Sequence, residues 1–413
     1  MKHENPSRSA LDFFLKYVKF DTKADPKSGQ TPSSPGQRVL AQQLAEDLSS
    51  FGVDVTISEH AYVYGKLPAN RAELATKRPL GLIAHMDTSP DFSGSNVSPR
   101  IIKYMGGDIV LDKEQNIRTE AALFPELKDL IGEDLVVTNG HSLLGADDKS
   151  GVSEIMALFA YLHANPDVPH GPLRVCFTPD EEIGEGTKFF DFKQFDAYYA
   201  YTMDGSLLGE LEYENFNAAA ARILVHGRSV HPGSAKDRLV NAAAWASRFI
   251  ASMDPADTPE HTSGREGFFH VGDLHAGVSE AEIEIIIRDF DKETFAQRKT
   301  YLKNKVEDFN KMFDYPAFEI EIHDQYLNMK EKVAERPELI ERARQAMEAI
   351  GVTPKEAPIR GGTDGAMLSW KGLPCPNIFT GGANFHGRYE YLVVSHMEKA
   401  VQFLKELVRI YSE

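Results

Sequence analysis

Short polar clusters sit at the ends of apolar runs in this chain, and their residue types are those of acid–base and metal chemistry. Thr178-Pro179-Asp180-Glu181-Glu182 follows Leu173-Arg174-Val175-Cys176-Phe177, which reads as a short buried strand stopped by Pro179. Carboxylates this close raise one another's pKa unless a cation neutralises them, so the cluster is either a solvated turn or a metal site. His85-Met86-Asp87 ends a second apolar run, Asp204-Gly205 a third, and His386 lies in the glycine-rich stretch Gly381-Gly382-Ala383-Asn384-Phe385-His386-Gly387. Asp147-Asp148-Lys149 opens a helical pattern carried by Val152, Ile155, Met156, Phe159 and Leu162.

Taken singly, each cluster has an ordinary structural reading. His-x-Asp suits a satisfied histidine, Asp-Asp-Lys a helix cap, Asp-Gly a turn, and a histidine among glycines the surface. Together His85, Asp87, Asp147, Glu181, Glu182, Asp204 and His386 collect at successive strand ends. Imidazole and carboxylate without thiolate suit zinc, cobalt or manganese, and a shared carboxylate suits a pair of such ions. Paired ions clamp a water and a carbonyl for hydrolysis.

The elements that must position these groups read as an α/β sheet. Strand patterns fall at 53–58, 62–67, 80–84, 142–145, 173–177, 198–203 and 377–380, alternating with helical patterns, so functional groups gather at strand ends. Ser9 caps a first helix. Ser34, Pro35 and Gln37 give a second helix a capping-box start that ends at Gly52. Between about 214 and 326 the order changes to strand, helix, two strands, helix, strand, a βαββαβ pattern that resembles a ferredoxin-like insert serving as a lid. The expected division is a catalytic domain from 1–213 and 327–413, with a mixed central sheet flanked by helices, and a lid and dimerisation domain at 214–326.

A chain of 413 residues accommodates two domains. No apolar run is long enough to span a bilayer and the first residues lack a signal-peptide pattern, so no membrane partner is expected and the compartment is expected to be cytoplasmic. Two cysteines exclude a disulfide framework and a thiolate-rich zinc site. A net charge of −17 with no basic cluster argues against nucleic acid.

His85-Met86-Asp87, Gly145-Ala146-Asp147-Asp148-Lys149, Asp180-Glu181-Glu182-Ile183-Gly184, Thr202-Met203-Asp204-Gly205, Arg360-Gly361-Gly362-Thr363-Asp364-Gly365 and Asn384-Phe385-His386-Gly387, in this order, resemble the M20 metallopeptidases. The likeness spans nearly the whole chain. It implies that Asp147 bridges two zinc ions, with His85 and Asp204 completing one site and Glu182 and His386 the other. Cobalt or manganese would also suit these groups. Glu181 would be the general base, moving a proton from water to the leaving amine. Asp87 would be catalytic without being a ligand, holding the second nitrogen of His85. The family also implies a cis peptide between Asp147 and Asp148.

Ser229-Val230-His231-Pro232-Gly233 resembles the family's histidine that donates to the scissile carbonyl oxygen. Asn217 and Arg360 resemble substrate-binding positions, Arg360 being suited by its planar fork to a peptide carboxylate. The activity expected is a metal-dependent aminopeptidase acting on short peptides, most closely tripeptides, with a homodimer as the expected assembly. The alternatives are another hydrolase of the family, such as a dipeptidase or an N-acyl amino acid deacylase, and a metal-binding protein without catalysis.

Overall fold

The computed structural model describes residues 9–413. The chain divides into two compact units: one holds the described residues up to Tyr213 with Glu331–Ala357 and Thr363–Glu413, the other Glu214–Lys330 with Pro358–Gly362.

The first unit is built on a seven-stranded sheet in the order Asp54–Ile57, Val63–Leu67, Leu173–Thr178, Leu80–His85, Tyr199–Gly205, Asn377–Phe379, Leu211–Glu212. The four strands from Leu173–Thr178 to Asn377–Phe379 run parallel, and antiparallel strands finish both edges, so the sheet is mixed. Parallel strands are covered on both faces, which is why Leu82, Ile83, Val175, Cys176 and Phe177 are fully buried with no polar alternation. Helix Ala146–Ala164 crosses strands Leu80–His85 and Tyr199–Gly205. Its approach is set by Gly151, where a Cβ would lie 1.8 Å from the Met203 carbonyl oxygen, one residue before Asp204. Tyr62, Tyr64, Ile83, Phe190, Phe195 and Leu368 form a further core cluster of this unit.

Two local expectations differ. Residues 142–145 are a loop, because the N–H groups of Leu144 and Gly145 donate to the Glu390 carboxylate and have no strand partner. Helix Pro35–Ser50 starts at Ser34 without a capping hydrogen bond from its side chain; Gln37 turns its amide inward to Asp180. The first helix, Ala10–Tyr17, does carry a reciprocal Ser9–Asp12 capping box. Among the described residues no helix is long and apolar enough to cross a membrane.

The second unit has the βαββαβ order: strand Asn217–His226, helix Ala242–Ala251, strands Phe268–Ala276 and Glu280–Asp289, helix Lys292–Asn310 and strand Phe318–Tyr326. Its antiparallel sheet runs Phe268–Ala276, Glu280–Asp289, Asn217–His226, Phe318–Tyr326. Ile283, Ile285 and Ile287 point alternately into a core shared with Phe249, Leu302 and Phe318.

Candidate active site

Adjacent parallel strands deliver the first chemical groups. His85 pairs in register with Thr178, so the segments that leave these strands start side by side, tied by a 2.9 Å bond from Met86 N–H to the Thr178 carbonyl. The C-terminal ends of parallel strands are where an α/β sheet presents its site. Strand Tyr199–Gly205 brings Asp204 to the same edge, and helix Ala146–Ala164 begins there with Asp147.

Asp147 lies between two histidines and turns one oxygen to each. Its Oδ1 is 2.8 Å from His85 Nε2, and its Oδ2 is 3.4 Å from His386 Nε2. His85 Nε2 is also 3.4 Å from Asp204 Oδ1, and His386 Nε2 is 3.0 Å from Glu182 Oε2. The five groups thus sort into His85 with Asp204 and His386 with Glu182, with Asp147 common to both. Donor atoms of His85, Asp147 and Glu182 lie within 4.8 Å of one another, as do those of His85, Asp148 and Asp204. Asp148 is the weaker ligand candidate because its oxygens already accept the N–H groups of His85 and Gly151, each at 3.1 Å. The Asp147–Asp148 peptide is cis.

The electrostatics call for cations. Burial pushes Glu182 up to about 7 and Asp204 up to about 6, and lifts Glu181 well above the usual carboxylate range. Against burial, hydrogen bonds from His386 and His85 hold Asp147 below that range. Hydrogen bonds to Asp147 and Glu182 raise His386 to about 11. Glu182 Oε1 is buried with no hydrogen-bond partner, which an ion would supply. An all nitrogen and oxygen donor set with one shared carboxylate fits a pair of zinc-like ions.

A surrounding layer fixes these groups. Asp87 is fully buried; its carboxylate lies 3.4 Å from His85 Nδ1 and accepts the N–H groups of Glu181 at 3.0 Å and Glu182 at 3.1 Å. Asp180, at φ +56°, accepts from Ser33 N–H at 2.8 Å and Gln37 Nε2 at 2.7 Å, a wholly structural role. Three further acids contribute that the sequence reading gives no role. Glu390 accepts N–H groups from the loop that carries Asp147. Asp91 places Oδ2 3.4 Å from His386 Nδ1. Asp364 is buried with Oδ2 accepting from Thr178 Oγ1 at 2.7 Å and Oδ1 without a partner. The sequence signal for Asp364 is its place in Arg360-Gly361-Gly362-Thr363-Asp364-Gly365.

Within the second unit, His231 is exposed, and its Nδ1 accepts the Gly233 N–H at 3.1 Å. An accepting Nδ1 leaves the ring N–H on Nε2. Asn217 is buried; its Nδ2 donates to the carbonyls of Asp289 and Phe290, and its Oδ1 accepts from Asn328 N–H. Arg360 donates through both terminal nitrogens to Thr262, Gly264 and Glu266 and lies over the rings of Phe216 and Phe268. In this structure both residues hold their own unit together and leave those donors engaged.

The family model described as "Peptidase family M20/M25/M40" matches residues 139–410. A peptidase T from Parabacteroides distasonis is 49% identical over 97% of this chain and 98% of its own. An aminopeptidase PepT of known structure from Bacillus cereus has the same fold, with a TM-score of 0.75 at 21% identity over 98% of this chain and 99% of that one. A tripeptidase from Staphylococcus aureus follows at 0.73 and 20% identity, covering 98% of each chain. With a family model spanning Asp147 to His386 and near-half identity over almost its full length, the chain belongs to peptidase family M20/M25/M40.

Proposed function

We propose that this protein is an aminopeptidase that removes the N-terminal residue of tripeptides, using two zinc ions and Glu181 as the general base. The observation that carries it is the division of the Asp147 carboxylate between His85 and His386, each beside a further acid. The likeness to peptidase T supports the substrate class. His85, Asp147 and Asp204 would hold one ion, and Asp147, Glu182 and His386 the other. When bound, the pair supplies Lewis-acid polarisation of a carbonyl and lowers the pKa of water.

The chain's own groups do the rest. Asp87 orients His85 by its Nδ1, leaving Nε2 for the ion, and its bonds to two successive N–H groups fix the turn from which Glu181 and Glu182 diverge. Glu181, not being a ligand, takes a proton from water and returns it to the departing amine nitrogen. Burial lifts its pKa above the usual carboxylate range, which favours proton uptake. His231, which resembles the family's donor to the scissile carbonyl oxygen, is assigned that role on its own subunit's site or a partner's, through Nε2–H.

Hydrolysis rates for di-, tri- and tetrapeptides, each with free and with acetylated amino termini, test the assignment on zinc-loaded protein. A preference for free-amine tripeptides is expected. Preference for dipeptides would point to a dipeptidase and preference for acylated amino acids to a deacylase, and either would overturn it.

A further inference from the structure

We infer that Glu390 is a positioning residue that sets the spacing of the paired metal site, by locking the loop bearing the bridging aspartate to the segment bearing His386. This rests on the assignment of Asp147 and His386 as ligands.

Glu390 is 2% exposed, and its carboxylate is used almost entirely on backbone N–H groups. Oε2 accepts from Leu144 at 2.6 Å and Gly145 at 2.8 Å, and Oε1 accepts from Asp147 at 3.1 Å. These three donors lie on the entry turn to helix Ala146–Ala164, where Asp147 and Asp148 still have non-helical dihedrals, ψ 107° and 36°, and a buried N–H needs an acceptor. The regular helix beyond them is capped locally, by Asp148 Oδ1 accepting the Gly151 N–H at 3.1 Å. Gly145, at φ +81°, has no side chain to offer the entry turn. The acceptor for that turn comes from 243 to 246 residues away.

The place of Glu390 in the chain gives these bonds a second consequence. Glu390 follows His386 by four residues, and the strand immediately after it, Tyr391–Val393, is pinned antiparallel to Gly382–Ala383 and Asp134–Val137. The turn carrying His386 therefore leaves and re-enters one small sheet. The acid at its re-entry grips the N–H of the same Asp147 whose Oδ2 faces His386. One carboxylate thus couples the positions of two groups assigned to one ion, and through Asp147 it reaches the other. Lys149, fully buried, donates its ammonium to the Phe20 carbonyl at 2.8 Å and so ties this end of the helix to the N-terminal segment. An amide at position 390 would turn an NH2 toward donors that need an acceptor.

Zinc titration of metal-free wild type, Glu390→Gln and Asp147→Ala, read by calorimetry and elemental analysis, tests this beside thermal unfolding of the metal-free proteins. Wild type should bind two ions and Asp147→Ala should lose them; failure of either would overturn the ligand assignment itself. With that in place, Glu390→Gln is expected to remain folded and to bind zinc about 10–100-fold more weakly, the range seen for partners of ligands. Its kcat should fall more than its KM rises. Wild-type zinc affinity in Glu390→Gln, with only the unfolding temperature lowered, would make Glu390 a plain structural tie and overturn the inference. Should Glu390→Gln not accumulate, Glu390→Asp keeps the charge but is one methylene short; an affinity equal to wild type in that variant overturns it equally.

Discussion

Gln37 and Asp180 bond to each other twice in the core: the Gln37 amide nitrogen donates to the Asp180 carboxylate at 2.7 Å, and the Asp180 N–H donates back to Gln37 Oε1 at 3.2 Å. The pair holds Asp180 in a left-handed conformation that a non-glycine residue adopts only when its surroundings enforce it. Glu181 is the next residue, so a helix start far away in sequence aims the proposed base. Gln37→Ala should reduce kcat about 10–100-fold, the scale of an ångström-level misplacement. Zinc content should be unchanged, since the ligands lie outside this bond. Equal losses of zinc and activity would show that the pair supports the whole site and not the base.

Glu181→Gln separates chemistry from metal binding. The variant keeps the size of the side chain and the N–H bonded to Asp87 but lacks a proton acceptor. Turnover should fall by about 10²–10⁴, the usual contribution of a general base, with two zinc ions retained. Near wild-type turnover in the variant would remove the base from Glu181.

Asp147→Ala takes away the carboxylate that both histidines face. Zinc raises the unfolding temperature of a protein it binds only when folded, so wild type should gain stability on zinc addition and the variant should not. Thermal scans with and without zinc read this directly, and an unchanged gain would exclude a bridging role.

His231→Ala should cost about 10²–10³ in kcat, as loss of one oxyanion donor does, while leaving the unfolding temperature near wild type because the side chain is exposed. A fall in stability without a fall in kcat would assign His231 to its turn alone.

Asp364 predicts a pH effect on the metal-free protein. Burial pushes its carboxyl up to about 7, above its unfolded value. The folded state therefore holds this proton after the unfolded chain has released it. The group's stabilising contribution is complete below about pH 4 and is lost as pH rises through 7. Asp364→Asn resembles the protonated form at every pH. The unfolding temperature of wild type, measured against that of the variant, should drop between pH 4 and 7 and level off above. A difference constant over that range would mean the carboxyl is ionised throughout.

The sequence by itself determined the groups with local signatures. Buried strands 80–85 and 173–178 announce themselves as apolar runs because both faces of a parallel sheet are covered, and the acids and histidines that break those runs mark the sheet edge where a site forms. The βαββαβ order of the second unit was legible from alternation such as that of Glu280–Asp289, where every second side chain is in the core or turned from it. Only the tertiary structure decided which long-range acceptor each backbone N–H would find. The stretch 142–145 has the composition of a strand, yet the Leu144 and Gly145 amides belong to Glu390 and that of Leu143 to the Ser93 carbonyl. Gln37 has the spacing of a capping box, yet its amide belongs to Asp180. Arg360 has the fork of a carboxylate binder, yet its terminal nitrogens serve Thr262, Gly264 and Glu266. Periodicity and capping are written within a few residues of chain. A buried carboxylate that satisfies donors more than 240 residues distant is chosen by the fold alone, because burial makes every unpaired N–H costly and the nearest acceptor in space is taken wherever it lies in sequence.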